Sequence, residues 1–236
     1  IFSSFSITSE YIDLPSDSQR SGIDCHEFGH ILGLPDLYNV TNFTSVVGVW
    51  SLMDAGGWGN DVAITPTHLD SWCKNILGWI SLYNNQIGTI SVGNIETYHV
   101  AYKYTTSDPA EYFIIENRQQ TGFDNGLPGS GLLIWHINET KDQFSDINCR
   151  KVSLIQADNR KDIDNKINLG DADDPYPGGA NNRFFNDTSN PNSLLCNGIY
   201  SFLDISTISD SQIVMSMIGN LVNIGYVHFM SSPSGA

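Results

Sequence analysis

The stretch that constrains this chain most is His26-Glu27-Phe28-Gly29-His30-Ile31-Leu32-Gly33-Leu34-Pro35-Asp36. Residues four apart share one face of an α-helix, so the two imidazoles can converge on one point. The flanks agree with a helix there. Asp17 or Ser18 can cap its start, Gly33 can end it and Pro35 forbids its return. Gly33 can also adopt positive φ, which lets the chain leave the last turn sharply.

That arrangement has a definite chemistry. Zinc takes imidazole nitrogen at about 2.0–2.1 Å, and a catalytic site uses three protein ligands plus water. His26 and His30 supply two. Glu27 sits beside His26, where a carboxylate reaches the water without ligating the ion and serves as a general base. Asp36 follows the glycine exit and can turn back as the third ligand, at roughly 2.0–2.2 Å. Its other reading is a turn residue after Pro35. Glu116, at the end of a strongly apolar strand, is the reserve third ligand, although with Arg118 it also reads as a structural pair. Met53 lies in Trp50-Ser51-Leu52-Met53-Asp54-Ala55-Gly56-Gly57-Trp58-Gly59. It reads either as an apolar floor under the metal or as a methionine filling a gap in a tight turn.

Organisation supports one early helical part and one late β-rich part. Thr65-Pro66 resembles a capped helix start. Leu69, Trp72, Cys73, Ile76 and Leu77 follow at helical spacing and Gly78 ends the run. Strands are expected at 88–92, 97–104, 111–116, 131–137, 151–156, 212–218 and 221–229. The class is therefore α+β: a zinc-binding active-site helix and a second helix, then a β-rich C-terminal half. Residues 1–80 form the zinc-helix and methionine-turn portion. Residues 81–236 belong to the same domain or to a tightly packed second one.

Composition excludes some functions. Eleven basic against 26 acidic side chains give a formal charge of -15, which argues against nucleic acid as a partner. It suits oxygen-ligand sites for calcium, and the acid-rich loops 157–165 and 170–175 are where such ions are expected. No apolar run reaches the ~20 residues of a membrane-spanning helix. Cys25, Cys73, Cys149 and Cys196 match no CxxC site, and four cysteines allow three pairings. A Cys25–Cys73 bridge bracing the two helices, with Cys149–Cys196 in the β-rich half, is the favoured hypothesis. Acceptor sequons at Asn39, Asn42, Asn138 and Asn186 favour export.

Four blocks in order carry a resemblance: HEFGHILGLPDLY, WSLMDAGGWG, PTHLDSWCKNILGWI and EYFIIENRQQTGFDNGLPGSGLLIWHI. They are similar to the immune inhibitor A-like secreted zinc peptidases, from about Asp24 to about Ile218. The resemblance implies zinc at His26, His30 and Asp36, Glu27 as base, and a methionine-turn role for Met53. It implies secretion as a zymogen, endopeptidase action on proteins or peptides, bound calcium, and the chain's own propeptide or further domains as partners. Family catalytic domains carry a sheet before the zinc helix, whose edge strand aligns the substrate; an N-terminal portion is therefore expected beyond this chain. Some relatives place a tyrosine two residues after the turn methionine. Here that residue is Ala55, so the oxyanion donor falls to His68, Tyr38 or His136. The function expected is zinc-dependent hydrolysis of peptide bonds by metal-activated water. The alternative is a non-catalytic or incomplete zinc-stabilised module of a larger secreted protein.

Overall fold

The computed structural model describes residues 21–59, 63–144 and 146–209, and the backbone of 214–217. Helix α1 spans Ser21–Ile31. It closes in a Schellman arrangement: Leu34 N–H donates to Gly29 O and Gly33 N–H to His30 O, each at 3.0 Å, with Gly33 at φ 97°. Short 3-10 turns at Gly48–Trp50 and Ala55–Gly57 shape the loop that follows.

Helix α2 runs over Ser71–Ile76, five residues later than the start expected at Pro66. The backbone before it is engaged elsewhere. Thr67 N–H donates to Gly56 O, and His68 O accepts from Leu52 N–H. Asp70 is the N-cap, its carboxylate accepting from Cys73 N–H at 2.9 Å.

The β-rich half holds nine strands among the described residues: β1 Ser81–Asn84, β2 Gly88–Ser91, β3 Val100–Thr105, β4 Glu111–Arg118, β5 Gly131–Asn138, β6 Val152–Ile155, β7 Phe185–Asn186, β8 Asp204–Ile205 and β9 Val214–Met217. A five-stranded sheet has the order β1-β3-β4-β5-β6, parallel only between β1 and β3. An antiparallel four-stranded sheet has the order β2-β9-β8-β7. The fold is α+β, with few helices and a large β portion.

Expected strand 97–104 begins only at Val100. Residues Ile95–Tyr98 instead make a helical turn, α3, and His99 takes left-handed backbone (φ 52°) to leave it. Residues 221–229 lie outside the described part.

Strands β4 and β5 are buried at almost every position, because both faces of their sheet are covered. On one face Ile114, Leu133 and Trp135 pack in a single apolar cluster with Leu37, Trp50, Met53 and Trp72. On the other, Phe113, Ile115, Leu132 and Ile134 pack with Phe185, Leu203 and Ile205. The first cluster sets the loop after α1 directly on the sheet.

Cys149 and Cys196 form a disulfide. The expected Cys25–Cys73 bridge is not made: both thiols are free, Cys25 exposed on α1 and Cys73 buried on α2. Cys73 points into the core that α2 must bury, whereas Cys25 sits on the outward side of its helix.

Candidate metal centre

The three expected donors come together. His26 and His30 project from α1, and the Gly33 exit swings Asp36 back over them. Asp36 Oδ1 lies 3.1 Å from Nε2 of His26 and 3.1 Å from Nε2 of His30. The imidazole centroids are 4.9 Å apart and nearly perpendicular. Four tetrahedral ligands at 2.0–2.1 Å from an ion stand about 3.3 Å from one another. Both distances from Asp36 Oδ1 are therefore within a few tenths of an ångström of those between ligands of one small divalent cation, and all three donors lie within 4.8 Å of one another.

The other ring nitrogens fix the tautomer. Nδ1 of His26 lies 2.8 Å from Leu52 O, and Nδ1 of His30 lies 2.9 Å from Leu34 O. A backbone carbonyl only accepts, so each Nδ1 carries a proton and each Nε2 faces Asp36. Electrostatics follow this geometry. Burial alone would lower His26, but the hydrogen bond to Asp36, the Leu52 carbonyl and the charges of Asp36 and Glu27 raise it overall. Burial would likewise raise Asp36, yet His26, His30 and the Tyr38 hydroxyl hold it below the usual carboxylate range.

The methionine loop supports this centre from beneath. Met53 is fully buried, and its carbonyl accepts from Leu37 N–H at 2.8 Å. Gly29 lies against its thioether: a Cβ at that position would stand 2.6 Å from Met53 Sδ. Asp54 holds the preceding turn, its Oδ2 accepting from the backbone N–H groups of Val46, Val47 and Gly48 at 2.8, 2.7 and 3.0 Å. Burial nevertheless raises its pKa. Ser51 donates to Asp70 at 2.6 Å, tying the loop to the cap of α2.

Glu27 is half-buried and lines a cavity of about 370 Å³ together with His26 and Tyr38. The Tyr38 hydroxyl is raised, by burial first and then by the Asp36 charge. Its ring centroid is 6.0 Å from that of His26. Of the three expected oxyanion donors it alone lines this cavity. His68 lines a different cavity, of about 650 Å³, on the far side of α1. It faces Phe123 and is lowered to about 4, chiefly by burial and by the Lys74 charge. His136 pairs with Glu111 at 2.8 Å and stacks on Phe113.

Glu116 is not a metal ligand here. It is fully buried, with Oε1 accepting from Trp135 Nε1 at 2.9 Å and Oε2 accepting from the Ser71 hydroxyl. Its neighbour Arg118 makes a bidentate pair with Asp124, both contacts at 2.8 Å, and donates to Trp50 O at 3.1 Å. That network fastens the Gly48–Trp50 turn to β4. Asp158, Asp171 and Asp173, in the loops expected to hold calcium, do come together. Arg160 already pairs there with Asp158 at 3.2 Å and Asp173 at 3.0 Å.

Sequence reasoning passed over Asp54, Asp70 and the carbonyls of Leu34 and Leu52. For Asp70 a signal existed, since an acid two residues before Trp72 is a regular cap; Thr65-Pro66 competed for it. The carbonyls carry no sequence signal.

A helix that offers two imidazoles to a returning acid, with a carboxylate beside the first, is an arrangement able to hold a divalent ion next to a base, and sequence comparison finds metallopeptidases similar to this segment. Residues 2–82 match the immune inhibitor A peptidase M6 catalytic domain. Pre-pro-metalloprotease PrtV of Vibrio cholerae serotype O1 (strain ATCC 39315 / El Tor Inaba N16961) is 39% identical over 80 residues. Those residues are 32% of this chain and 8% of the relative. Immune inhibitor A of Bacillus thuringiensis subsp. alesti is 43% identical over 61 residues, 25% of this chain and 9% of the relative. The matched segment thus spans less than a tenth of either curated relative. No helix among the described residues is long and apolar enough to cross a membrane.

Proposed function

We propose that this chain is the zinc-binding part of an endopeptidase, with His26, His30 and Asp36 as ligands and Glu27 as general base. The observation that carries the reading is the meeting of three donors around one point, with both Nδ1 atoms committed to carbonyls. Zinc bound there supplies Lewis acidity, polarising a peptide carbonyl and making a water more acidic. Glu27 takes the proton of the attacking water and returns it to the leaving amine. Leu34 and Leu52 keep both imidazoles turned inward. Packing of Trp50, Met53 and Trp72 with Ile114 and Trp135 supports reading residues 21–80 and the five-stranded sheet as one catalytic unit.

Protein or peptide substrates follow from the reaction class. Secretion, synthesis as a zymogen and partnership with a propeptide are part of the proposal, supported by the name of the Vibrio relative, a pre-pro-metalloprotease. Calcium at Asp158, Asp171 and Asp173 would have to displace Arg160. The test of the function is Glu27→Ala in the full chain, assayed on casein with and without chelator. Zinc content should be unchanged while chelator-sensitive cleavage falls by 10² or more. Retained cleavage refutes Glu27 as base.

A further inference from the structure

Helix α1 has a second side that the metal centre does not use. Cys25, Phe28 and Leu32 follow one another at helical spacing, turned away from His26 and His30. Together with Leu69, Trp79 and Phe123 they wall the cavity of about 650 Å³. That size falls within the roughly 300–1,000 Å³ of small-molecule sites. Phe28 is 55% exposed, Trp79 55% and Phe123 59%. Large apolar side chains gathered in one hollow mark a surface that something covers.

Most polar groups of this wall are already committed or uncharged. Ser21 Oγ donates to Ile64 O at 2.7 Å and Thr67 Oγ1 to Val49 O at 2.8 Å. His68, lowered to about 4, is uncharged near neutrality. Asp24, the one acid in the lining, is exposed at the start of α1. Lys74 is the exception. It comes to the wall from α2, is only 6% exposed, and its Nζ has no hydrogen-bond partner among the described residues. Burial and the Arg118 charge lower its pKa, against the pull of Glu116, Asp124 and Glu96. None of these acids hydrogen-bonds it. Glu116 accepts from Trp135 and Ser71, and Asp124 accepts from Nε and Nη2 of Arg118. Glu96, pushed up to about 7 by burial, carries only part of a charge near neutrality. A buried ammonium without an acceptor is costly, and the cavity is where an acceptor can arrive.

We infer that this cavity binds a free medium-chain fatty acid, its alkyl chain lying along Phe28, Leu32, Leu69 and Trp79 and its carboxylate on Lys74. Apart from the exposed Asp24, the wall offers one cation and otherwise apolar or uncharged groups, so it recognises one anionic end on a plain apolar body. The flexible four-carbon stem of Lys74 lets Nζ turn from within the wall to that carboxylate. The charge-assisted contact favours the acid over an alcohol of equal length by about 10- to 100-fold. The site is separate from the metal centre and does not rest on the peptidase reading.

The experiment titrates the full chain at neutral pH with decanoate, decanol and decyltrimethylammonium, each below its micelle concentration. The readout is the Trp79 indole NMR resonance, assigned with Trp79→Phe. Decanoate should shift it and bind about 10- to 100-fold tighter than decanol, with the cationic amphiphile weakest. Lys74→Met should melt higher than wild type without ligand, because an unpartnered ammonium is gone, and should bind decanoate and decanol within about 3-fold of each other. Leu32→Asp, at a position 38% exposed, should weaken decanoate more than decanol. The wild-type titrations and Leu32→Asp decide the case if Lys74→Met does not fold. Decanoate bound no tighter than decanol, or a Trp79 resonance that none of the three probes moves, overturns the inference. So does a folded Lys74→Met that keeps the preference for decanoate.

Discussion

Gly29 offers a test in which two effects oppose each other. It lies one residue before His30 in the last turn of α1 and packs on Met53. Replacing a helical glycine by alanine ordinarily stabilises by about 1 kcal/mol. Here the new methyl would stand 2.6 Å from Sδ and 3.3 Å from Cε of Met53, a side chain with no exposed surface to retreat into. Overpacking of a filled core costs about 1–3 kcal/mol. The overlap wins, and Gly29→Ala should destabilise by about 1 kcal/mol, lowering Tm by about 2–4 °C for a chain of this size. Removing the obstacle reverses the sign. In a Met53→Ala background the same change should stabilise by about 1 kcal/mol, giving a coupling of about 2 kcal/mol in the double-mutant cycle. Thermal melts and urea titrations of the four proteins measure it. A Gly29→Ala variant that melts higher than wild type, with coupling near zero, refutes the claim that Met53 is packed hard under α1.

Other parts of the molecule give sharper or simpler outcomes. Arg118→Met strands Asp124 and Glu116 in the core and should destabilise by about 3–5 kcal/mol in urea titration. Native protein should react with one equivalent of maleimide, at Cys25, with Cys73 appearing only on unfolding and Cys149 and Cys196 only after reduction. Asp174 is pushed up to about 7, first by burial and then by the charges of Asp171 and Asp158 against the pull of its hydrogen bonds. The folded state therefore keeps a proton that the unfolded state loses near pH 4, and stability declines as pH rises from about 4 to about 7. Asp174→Asn keeps an acceptor for Trp50 Nε1 and should gain stability relative to wild type across that interval, which melts at pH 4, 5.5 and 7 will show.

The central motif was legible because its geometry is local. His26, Glu27 and His30 need only helical periodicity, and Asp36 needs only the glycine exit that the Schellman turn provides. Long-range partners decided the rest. Nothing in the sequence says that Leu52 O would hold His26. Nor does it say that Ser71 and Trp135 would fully engage Glu116 and remove it from contention as a ligand. Pro66 looked like a helix start because proline suits that position, but backbone bonds to Leu52 and Gly56 keep residues 67–68 extended and pass the cap to Asp70. The early disulfide was misjudged because cysteine spacing does not report which side of a helix a thiol occupies. Strands β7 and β8, of two residues each, are too short for any periodic signal.

What surrounds a bound ion is read directly by X-ray absorption at the zinc edge. With one equivalent of zinc on the full chain, the predicted first shell is two imidazole nitrogens and carboxylate or water oxygens at about 2.0–2.2 Å, with no sulfur. Asp36→Ala should remove one oxygen and leave both imidazoles. A scatterer at about 2.3 Å, the signature of thiolate from Cys25, or failure to hold zinc at one equivalent, would contradict it.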